Sequence, residues 1–587
     1  MTYRPGNTKR PGDTADEQPA KITLRPDKSS EHVASGGHDR LLVVGCLFAV
    51  AFVAIAVRLI DVAVLRPSHE PSPSAERTDA PLKTGRADII DRNGVLLATS
   101  LTVPSLFADP KLVRDPNQVA RKLVSVLGDL NPAEISAKLS SARRFVWLKR
   151  NLTPSQQYDV NRLGIPGLSF QMEERRVYPQ GRLSAHIVGY AGHDAIGLAG
   201  IEKKFDDLLR AGTDPLRLSV DIRIQHMVKQ ELAAQIATFS GVGGAAVVLD
   251  ARTAEIVSMV SLPDFEPNLF STADDDARFN RASLGVYEMG STFKIFNTAM
   301  ALDAGTATMS SGYDATKPIR VARFTINDYH AKRRWLSVPE IFMYSSNIGS
   351  VKMALDVGTK RQRAFMGKLG FLKPVAVELP EKGTPMTPSP WRQINTMTIS
   401  FGHGLAVSPL HLANAVASIV NGGIKRPITL LARGDKDRIT LPKGKRVISK
   451  RTSRAMRQLL RLVVEHGTGR KAAAEGYLVG GKTGTAEKSG GRGRYNRKSL
   501  LSSFVATFPS NDPRYVVLVM VDEPKGTKES HGYATGGWVA APAVKRIVSR
   551  AAPLLGIHPV DEMSPEIRRD LKIRLPDAKG GKRLASF

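Results

Sequence analysis

Between Arg40 and Arg58 runs LLVVGCLFAVAFVAIAV, Leu41 to Val57, without a charged residue. A helix apolar on every face has no polar side to show water, and a run of this length just reaches across the hydrocarbon of a bilayer. The segment splits the chain into a short leader and a large remainder with its own cores. A cleavable signal peptide is the competing reading, helped by Ala54-Ile55-Ala56, but the forty mixed-charge residues ahead of the run exceed an ordinary n-region. An uncleaved transmembrane signal anchor is expected over residues 41–60. Lys21, Arg25, Lys28 and Arg40 on one side nearly balance Arg58, Arg66 and Arg77 on the other, so flanking charge does not orient it. Cys46, the only cysteine, lies inside the run, so the remainder has no intramolecular disulfide and no thiol for catalysis or metal. Val43-Val44-Gly45-Cys46 weakly suggests a lipidation site, but the apolar Leu47-Phe48-Ala49-Val50 that follows reads as ordinary membrane sequence.

Residues 1–40 are Pro-, Gly-, Asp-, Lys- and Ser-rich without apolar periodicity, which predicts a disordered tail. Residues 61–82 form a linker, Pro/Ser-rich from Pro67, and Asp88–Ala98 reads as a hairpin turned at Asn93-Gly94. An extended membrane-proximal module is expected over 83–220. A second unit, 221–560, opens on an amphipathic helix, Ile224–Ala237, followed by the hairpin pattern of Ala245–Leu249 and Glu255–Val260. Helical patterns dominate from Ser291 to about Val420; strands return at Leu500–Phe508 and Arg514–Val521. Strands, helices, strands in that order predict an α/β (α+β) unit: an antiparallel sheet built from both ends of the unit, with helices on its faces. Residues 561–587 form a basic tail. The formal charge of +29 invites a nucleic-acid reading, but aromatics at 6% and basic residues scattered among acids provide neither stacking platform nor basic stripe. No nucleic-acid partner is expected; an anionic membrane or wall polymer accounts for the charge instead.

GYLVGGKT, Gly476–Thr483, satisfies the phosphate-loop pattern G-x-x-x-x-G-K-[ST]. Such a loop needs a strand entering its first glycine and a helix starting at Lys-Thr. Arg470–Glu475 favours helix, and Gly484 to Gly493 holds too many glycines to continue as one. The acid-tipped run Tyr515–Glu523 is joined to Leu500–Phe508 by a short turn, so the pair is antiparallel and lacks the parallel crossover a magnesium-binding strand requires. The nucleotide reading fails on both flanks.

A different constellation fits. Ser291 and Lys294 lie three apart at the start of an expected helix, Thr292–Leu302, on one helical face. That spacing lets an amine reach a hydroxyl, while the helix start offers N–H groups to a developing oxyanion. Ser345-Ser346-Asn347 follows about fifty residues later, and Lys482-Thr483-Gly484-Thr485 later still. Lys83-Thr84-Gly85, a second copy of the last motif, precedes the serine and is taken as chance.

The ordered set S-x-x-K, S-x-N, K-T-G resembles that of penicillin-binding proteins and class A β-lactamases, with Ser346 replacing the Asp of the S-D-N form. Over about residues 40–555 the chain resembles a class B penicillin-binding protein, a bitopic peptidoglycan D,D-transpeptidase, most closely of the septal, FtsI-type branch. Arg86-Ala87-Asp88-Ile89-Ile90-Asp91-Arg92-Asn93-Gly94, Arg175–Pro179, Gly200–Asp206, Phe401-Gly402-His403-Gly404, Asn421-Gly422-Gly423 and Gly467-Thr468-Gly469 carry the likeness. Ala87 and Met289 depart from the usual Gly and Pro. The resemblance implies a transpeptidase domain of penicillin-binding-protein/β-lactamase type on a non-catalytic, dimerisation-type pedestal. It implies a single-pass inner-membrane protein with its N-terminus cytoplasmic and its catalytic domain periplasmic. Its substrates would be stem peptides ending in D-Ala-D-Ala, and β-lactams would acylate it. Its partners would be division-complex membrane proteins, including a glycosyltransferase; no cofactor or metal is implied.

By the same resemblance Ser291 is the nucleophile, and the backbone N–H groups of Ser291 and Thr485 form the oxyanion hole. Lys294 acts as base only as a neutral amine, which disfavours its charged form by about 4 kcal/mol. Ser345 shuttles a proton, Asn347 bonds the substrate amide, and Lys482 and Thr485 suit the terminal carboxylate, with Thr483 and Gly484 completing the binding strand. Gly484 is expected to let a ligand backbone approach without a Cβ in the way. His403 and His531 are read as structural. The elongation-branch transpeptidases share every catalytic motif; D,D-carboxypeptidase or β-lactamase action uses the same fold; and a division-complex scaffold is the alternative from another class.

Overall fold

The computed structural model describes residues 38–60 and 85–573, apart from 193, 213, 322–323, 435–442 and 490–494. The expected tail and linker fall almost wholly outside those residues. The chain forms two units, divided at Leu82/Lys83.

In the first unit a single helix, α1 (His38–Ile60), takes in the apolar run. Its side chains are described from Cys46 to Val57, all exposed, with Leu47, Phe48, Val50 and Phe52 each more than 60% accessible. Among the described residues no helix is long and apolar enough to cross a membrane.

The second unit begins with a sheet of β1 (Ile89–Ile90), β2 (Leu96–Ala108), β3 (Val146–Lys149), β4 (Leu168–Val177) and β5 (Leu216–Arg217). β1 and β2 form the expected hairpin, turning where Gly94 adopts φ +89° and the Asp91 carboxylate accepts from the Asn93 and Val95 amides. The fully buried Arg86 pairs with Glu202, whose other oxygen accepts from Arg176 Nε at 2.7 Å. Arg176 also donates to the carbonyls of Arg86 and Ala87. The quoted R-A-D-I-I-D-R-N-G, R-R-V-Y-P and G-I-E-K-K-F-D segments thus meet at one buried carboxylate, where each charge has a partner.

The larger part starts with α2 (Ile222–Thr238), its first turn capped by the Asp221 carboxylate on the Arg223 amide, then β6 (Gly243–Asp250) and β7 (Ile256–Leu262). Helices follow: α3 (Lys294–Asp303), α4 (Val338–Tyr344), α5 (Asn347–Val357), α6 (Pro409–Val420) and α7 (Lys450–His466). β8 (Gly480–Ser489), β9 (Tyr495–Phe508) and β10 (Tyr515–Asp522) complete an antiparallel sheet of order β8-β9-β10-β6-β7. The strands from the two ends of the unit therefore adjoin, as their order along the chain predicted.

This sheet is apolar on both faces, and the period-two alternation assigns each residue to one of them. Ala246, Val248, Phe504, Val517 and Val519 pack with Ile224, Val228 and Leu232 of α2 and with Val544 and Ile547 of α8 (Ala541–Leu554). Ala245, Val247, Leu249, Val505, Val516 and Leu518 pack with Phe293, Phe296, Val416 and Leu460 on the opposite side. Each of the Val, Leu, Ile and Phe side chains among them contributes about 1.5–3 kcal/mol. Two layers of helix thus hold β8, the edge strand, in a fixed relation to the start of α3.

The acid-tipped strand ends in an ion pair: Lys488 bonds Asp522 at 2.9 Å and Glu523 at 2.8 Å. The segment read as a basic tail begins differently. Pro565–Leu571 forms α9, capped by Ser564 and joined to α7 by Arg454–Asp570 and by the Gln458 amide on the Asp570 carbonyl.

Candidate active site

Ser291 lies in a 3-10 turn, Gly290–Phe293, that runs straight into α3. The sequence pattern predicted α-helix from here, but the tighter turn brings positions i and i+3 nearly into line. Lys294 Nζ is consequently 2.8 Å from Ser291 Oγ.

Lys294 is 1% exposed, and its amine has four polar neighbours: Ser291 Oγ, the Ser345 carbonyl at 2.9 Å, Ser345 Oγ at 3.1 Å and Asn347 Oδ1 at 2.6 Å. The carbonyl and the amide oxygen only accept, so each takes one N–H. A neutral amine then has no proton left and one lone pair, which faces the hydroxyls. Burial, reinforced by the charge of Lys482, holds Lys294 well below the usual lysine range, and Asp328 opposes the shift. Geometry and electrostatics agree on an amine able to accept the serine proton.

Ser345 and Asn347 come from the break between α4 and α5. Ser345 adopts the left-handed conformation, φ 59° and ψ 42°, ending α4 and turning its hydroxyl between two lysines. The start of α5 is held by Asp328, which accepts from Ser346 Oγ at 2.7 Å and from the amides of Asn347 and Ile348 at 2.6 and 2.9 Å. Asn347 is oriented from its other end, its Nδ2 donating to the Asn327 carbonyl at 2.8 Å.

Lys482 on β8 is fully buried, and its amine lies 3.0 Å from Ser345 Oγ and 3.4 Å from Thr483 Oγ1. Burial pulls it down to about 7. Thr483 and Thr485, two apart, share a side of the strand. The Thr483 hydroxyl lies 2.8 Å from that of Thr468, and Thr485 Oγ1 accepts from the Gly536 amide at 3.1 Å.

Gly484 has a different use from the one expected. A Cβ there would stand 2.4 Å from Ser503 Oγ, 2.7 Å from the Met289 carbonyl and 2.8 Å from the Thr292 methyl. The missing side chain lets the strand close on the Ser291 turn of its own chain. Gly290, at φ +55°, would meet the Thr485 carbonyl at 2.4 Å, and Gly402, at φ +90°, would meet the Gly290 carbonyl at 1.9 Å. Gly536 would meet the Gly484 carbonyl at 2.5 Å. This stack of glycines brings the backbone of Ser291 alongside that of Thr485.

These residues bring all eight sequence-derived positions to one place. Two family profiles match the chain: "Penicillin binding protein transpeptidase domain" over residues 244–549 and "Penicillin-binding Protein dimerisation domain" over 81–230. The probable peptidoglycan D,D-transpeptidase FtsI of Caulobacter vibrioides is 42% identical over 490 residues, 81% of this chain and 82% of that protein. The chain belongs to the class B penicillin-binding proteins of the FtsI type. Peptidoglycan D,D-transpeptidase FtsI of Escherichia coli is 29% identical, covering 96% of this chain and 99% of its own. A crystal structure of penicillin binding protein 3 from Mycobacterium tuberculosis complexed with aztreonam has a TM-score of 0.64 at 22% identity, covering 81% of this chain and 98% of its own. The α/β fold is thus that of the penicillin-binding-protein transpeptidases.

Other positions sort around the site. His403, between Gly402 and Gly404, is held at about 4, chiefly by burial, so it neighbours the site without a basic imidazole. His531 packs edge-on against Trp538, 5.6 Å away. Of the second K-T-G copy only Gly85 is described, and the Glu174 carboxylate fills the space a side chain would take. Gly476 is a turn residue at φ +79°, and the run after Lys482 is strand rather than helix. In sequence Thr468 stands out only as part of the Gly467-Thr468-Gly469 likeness, with no role attached, and Asp328 and Gly536 carry no signal, because segments far apart in the chain deliver them.

Proposed function

We propose that this penicillin-binding protein is a serine-type peptidoglycan D,D-transpeptidase that crosslinks stem peptides through an acyl-enzyme on Ser291. The observation that carries the reading is the buried Lys294 amine 2.8 Å from Ser291 Oγ, below its usual range. Ser291 attacks the penultimate carbonyl of a stem ending in D-Ala-D-Ala, and Lys294 takes its proton. The backbone N–H groups of Ser291 and Thr485 receive the oxyanion, each such donor typically worth about 3 kcal/mol. Ser345 lies between Lys294 and Lys482 and relays the proton to the leaving D-Ala. Asn347 orients the substrate amide, and Lys482, Thr483 and Thr485 bind the terminal carboxylate along β8, an edge strand open to strand addition. The amine of a second stem resolves the ester. β-Lactams mimic the first step and stop there.

Labelled penicillin tests this directly. One label per chain is expected on the wild type and none on Ser291→Ala; labelling that survives the substitution would sink the assignment.

We further propose that α1 is the single membrane anchor: the stretch described side chain by side chain, Cys46–Val57, is too short to span by itself, but it is exposed and apolar throughout and belongs to the uncharged run Leu41–Val57. The N-terminal tail is then cytoplasmic and the catalytic part periplasmic, where its substrate lies. Protease added outside spheroplasts should digest the large unit; its survival would reverse the orientation. Residues 83–220 serve as the pedestal and 221–560 as the transpeptidase domain, acting in septal synthesis with division-complex membrane proteins that include a glycosyltransferase. A fluorescent fusion is expected at midcell; a side-wall pattern would favour the elongation branch.

A further inference from the structure

At the end of the large sheet where β9 turns into β10 and β6 into β7, a cavity of about 310 Å³ opens between those two turns, the end of α6 and α7. Arg252, Arg426 and Arg457 line it, with Asn421 and Asp512. Among the described lining residues the formal charge is three cations less one carboxylate, or +2. That carboxylate is already engaged, since Asp512 pairs with Arg252.

The other two guanidinium groups are poorly compensated. Arg457 Nη1 donates to the carbonyls of Ser510 and Asn511, while its Nε is buried without a hydrogen-bond partner. Arg426 Nε is likewise buried and unpartnered. Burial lowers both groups, and neighbouring cations add to it: Arg433 beside Arg426, and Arg454 beside Arg457. Asp250 opposes the shift at Arg426, as Asp570 and Asp512 do at Arg457. A buried donor without an acceptor, repeated on two residues that face one cavity, is unfavourable unless something else supplies the acceptor.

The cavity is not part of the reaction site. None of the eight site positions lines it, and Val505, opposite Lys482, precedes the end of β9 at Phe508 by three residues, about 10 Å along the strand.

We propose that this cavity is a binding site for a phosphoryl or pyrophosphoryl group, held by Arg252, Arg426 and Arg457. A single guanidinium fork satisfies a planar carboxylate, whereas guanidinium groups converging from three segments match the several oxygen faces of a tetrahedral anion. The group arrives either as a free anion or as a lipid headgroup.

The test uses the full chain in detergent, at an ionic strength fixed near 0.15 M because screening shifts any such affinity. Calorimetric titration with inorganic pyrophosphate and with a water-soluble short-chain phosphatidic acid is compared with succinate. One site per chain is expected for a phosphoryl ligand. It should bind at least tenfold more weakly to Arg426→Gln/Arg457→Gln, which should still take up one labelled penicillin and thereby report an intact fold. Tighter binding of phosphatidic acid assigns a lipid source, and tighter binding of pyrophosphate a soluble one. Absence of binding by both, affinity undiminished in the double variant, or succinate binding as tightly as either phosphoryl probe overturns the proposal. Arg457→Gln alone provides a second variant if the double one loses penicillin labelling, with the same tenfold criterion.

Discussion

Lys294 and Lys482 meet at one hydroxyl: their amines lie 3.1 and 3.0 Å from Ser345 Oγ. Two buried amines this close cannot both carry charge cheaply: burial lowers both, and on Lys294 the charge of Lys482 adds to it. On the proposed roles, base for Lys294 and carboxylate anchor for Lys482, the pair divides two tasks that need opposite protonation states.

A bell-shaped pH profile follows. The base must be neutral, so acylation by the ring carbonyl of a carboxylate-bearing β-lactam rises with pH as Lys294 loses its proton. The carboxylate anchor must be charged, so the rate falls as Lys482 loses its proton at about 7. Lys482→Arg keeps the charge at every accessible pH and should abolish the alkaline limb while lowering the peak rate. Stopped-flow acylation measures both; an alkaline limb unchanged in Lys482→Arg would remove Lys482 from this role.

Ser345 separates chemistry from backbone strain. Removing its hydroxyl in Ser345→Ala disconnects the two amines and should slow acylation about a hundredfold. Ser345→Gly loses the same hydroxyl but relaxes the left-handed residue at φ 59°, whose strain is of order 1 kcal/mol. The glycine variant is therefore expected to match or exceed wild type in thermal stability yet stay as slow as the alanine variant. A fast glycine variant would mean that the hydroxyl does nothing.

The two halves of this site differed in how far they could be read from sequence. Ser291 and Lys294 share a face because they are three residues apart, and the sheet was legible because its strands, buried on both faces, are apolar runs bounded by turns. What periodicity could not supply is long-range. Asp328 reaches Ser346 from an irregular loop eighteen residues upstream, and its carboxylate has no pattern around it. The Gly484 position was recognised by motif but misassigned, because the atoms that exclude a side chain there, Met289 O and the Thr292 methyl, are nearly two hundred residues away. Close backbone approach leaves a glycine in the sequence without naming what approaches.

Asp328→Asn isolates that loop's contribution. The substitution keeps the shape but replaces a carboxylate that accepts from the amides of Asn347 and Ile348, so the start of α5 should lose about 1–2 kcal/mol. It also removes the one charge that raises Lys294, so the acid limb of acylation should move to lower pH. A drop in rate with the acid limb unmoved would limit Asp328 to a purely structural cap.

The glycine stack predicts unequal effects from identical changes. Gly402→Ala places a methyl 1.9 Å from the Gly290 carbonyl at φ +90°, and overpacking plus backbone strain should cost about 3 kcal/mol. Because Gly290 carries Ser291 beside Thr485, acylation should fall further than lost stability explains. Gly422→Ala has the same φ but nothing within 4 Å, so it should cost about 1 kcal/mol and leave acylation untouched. Equal melting-point losses in the two variants would remove close packing as the reason for Gly402.

Acid should unfold this protein before its carboxylates protonate. His186, His403 and His411 are each held at about 4, chiefly by burial, against an ordinary 6.5. His411 is fixed neutral in place, one ring nitrogen 2.8 Å from Ser408 Oγ and the other 2.9 Å from the Lys373 carbonyl. As pH falls below 6.5 the unfolded chain takes up protons that the folded chain refuses, so stability present above 6.5 is lost progressively down to about 4. Each histidine contributes a slope of about 1.4 kcal/mol per pH unit in that window. Urea unfolding of the full chain at several pH values should therefore give a steep decline, and His411→Asn should lower the slope by about one histidine's share. A slope unchanged in that variant would mean that His411 already binds a proton in the folded state.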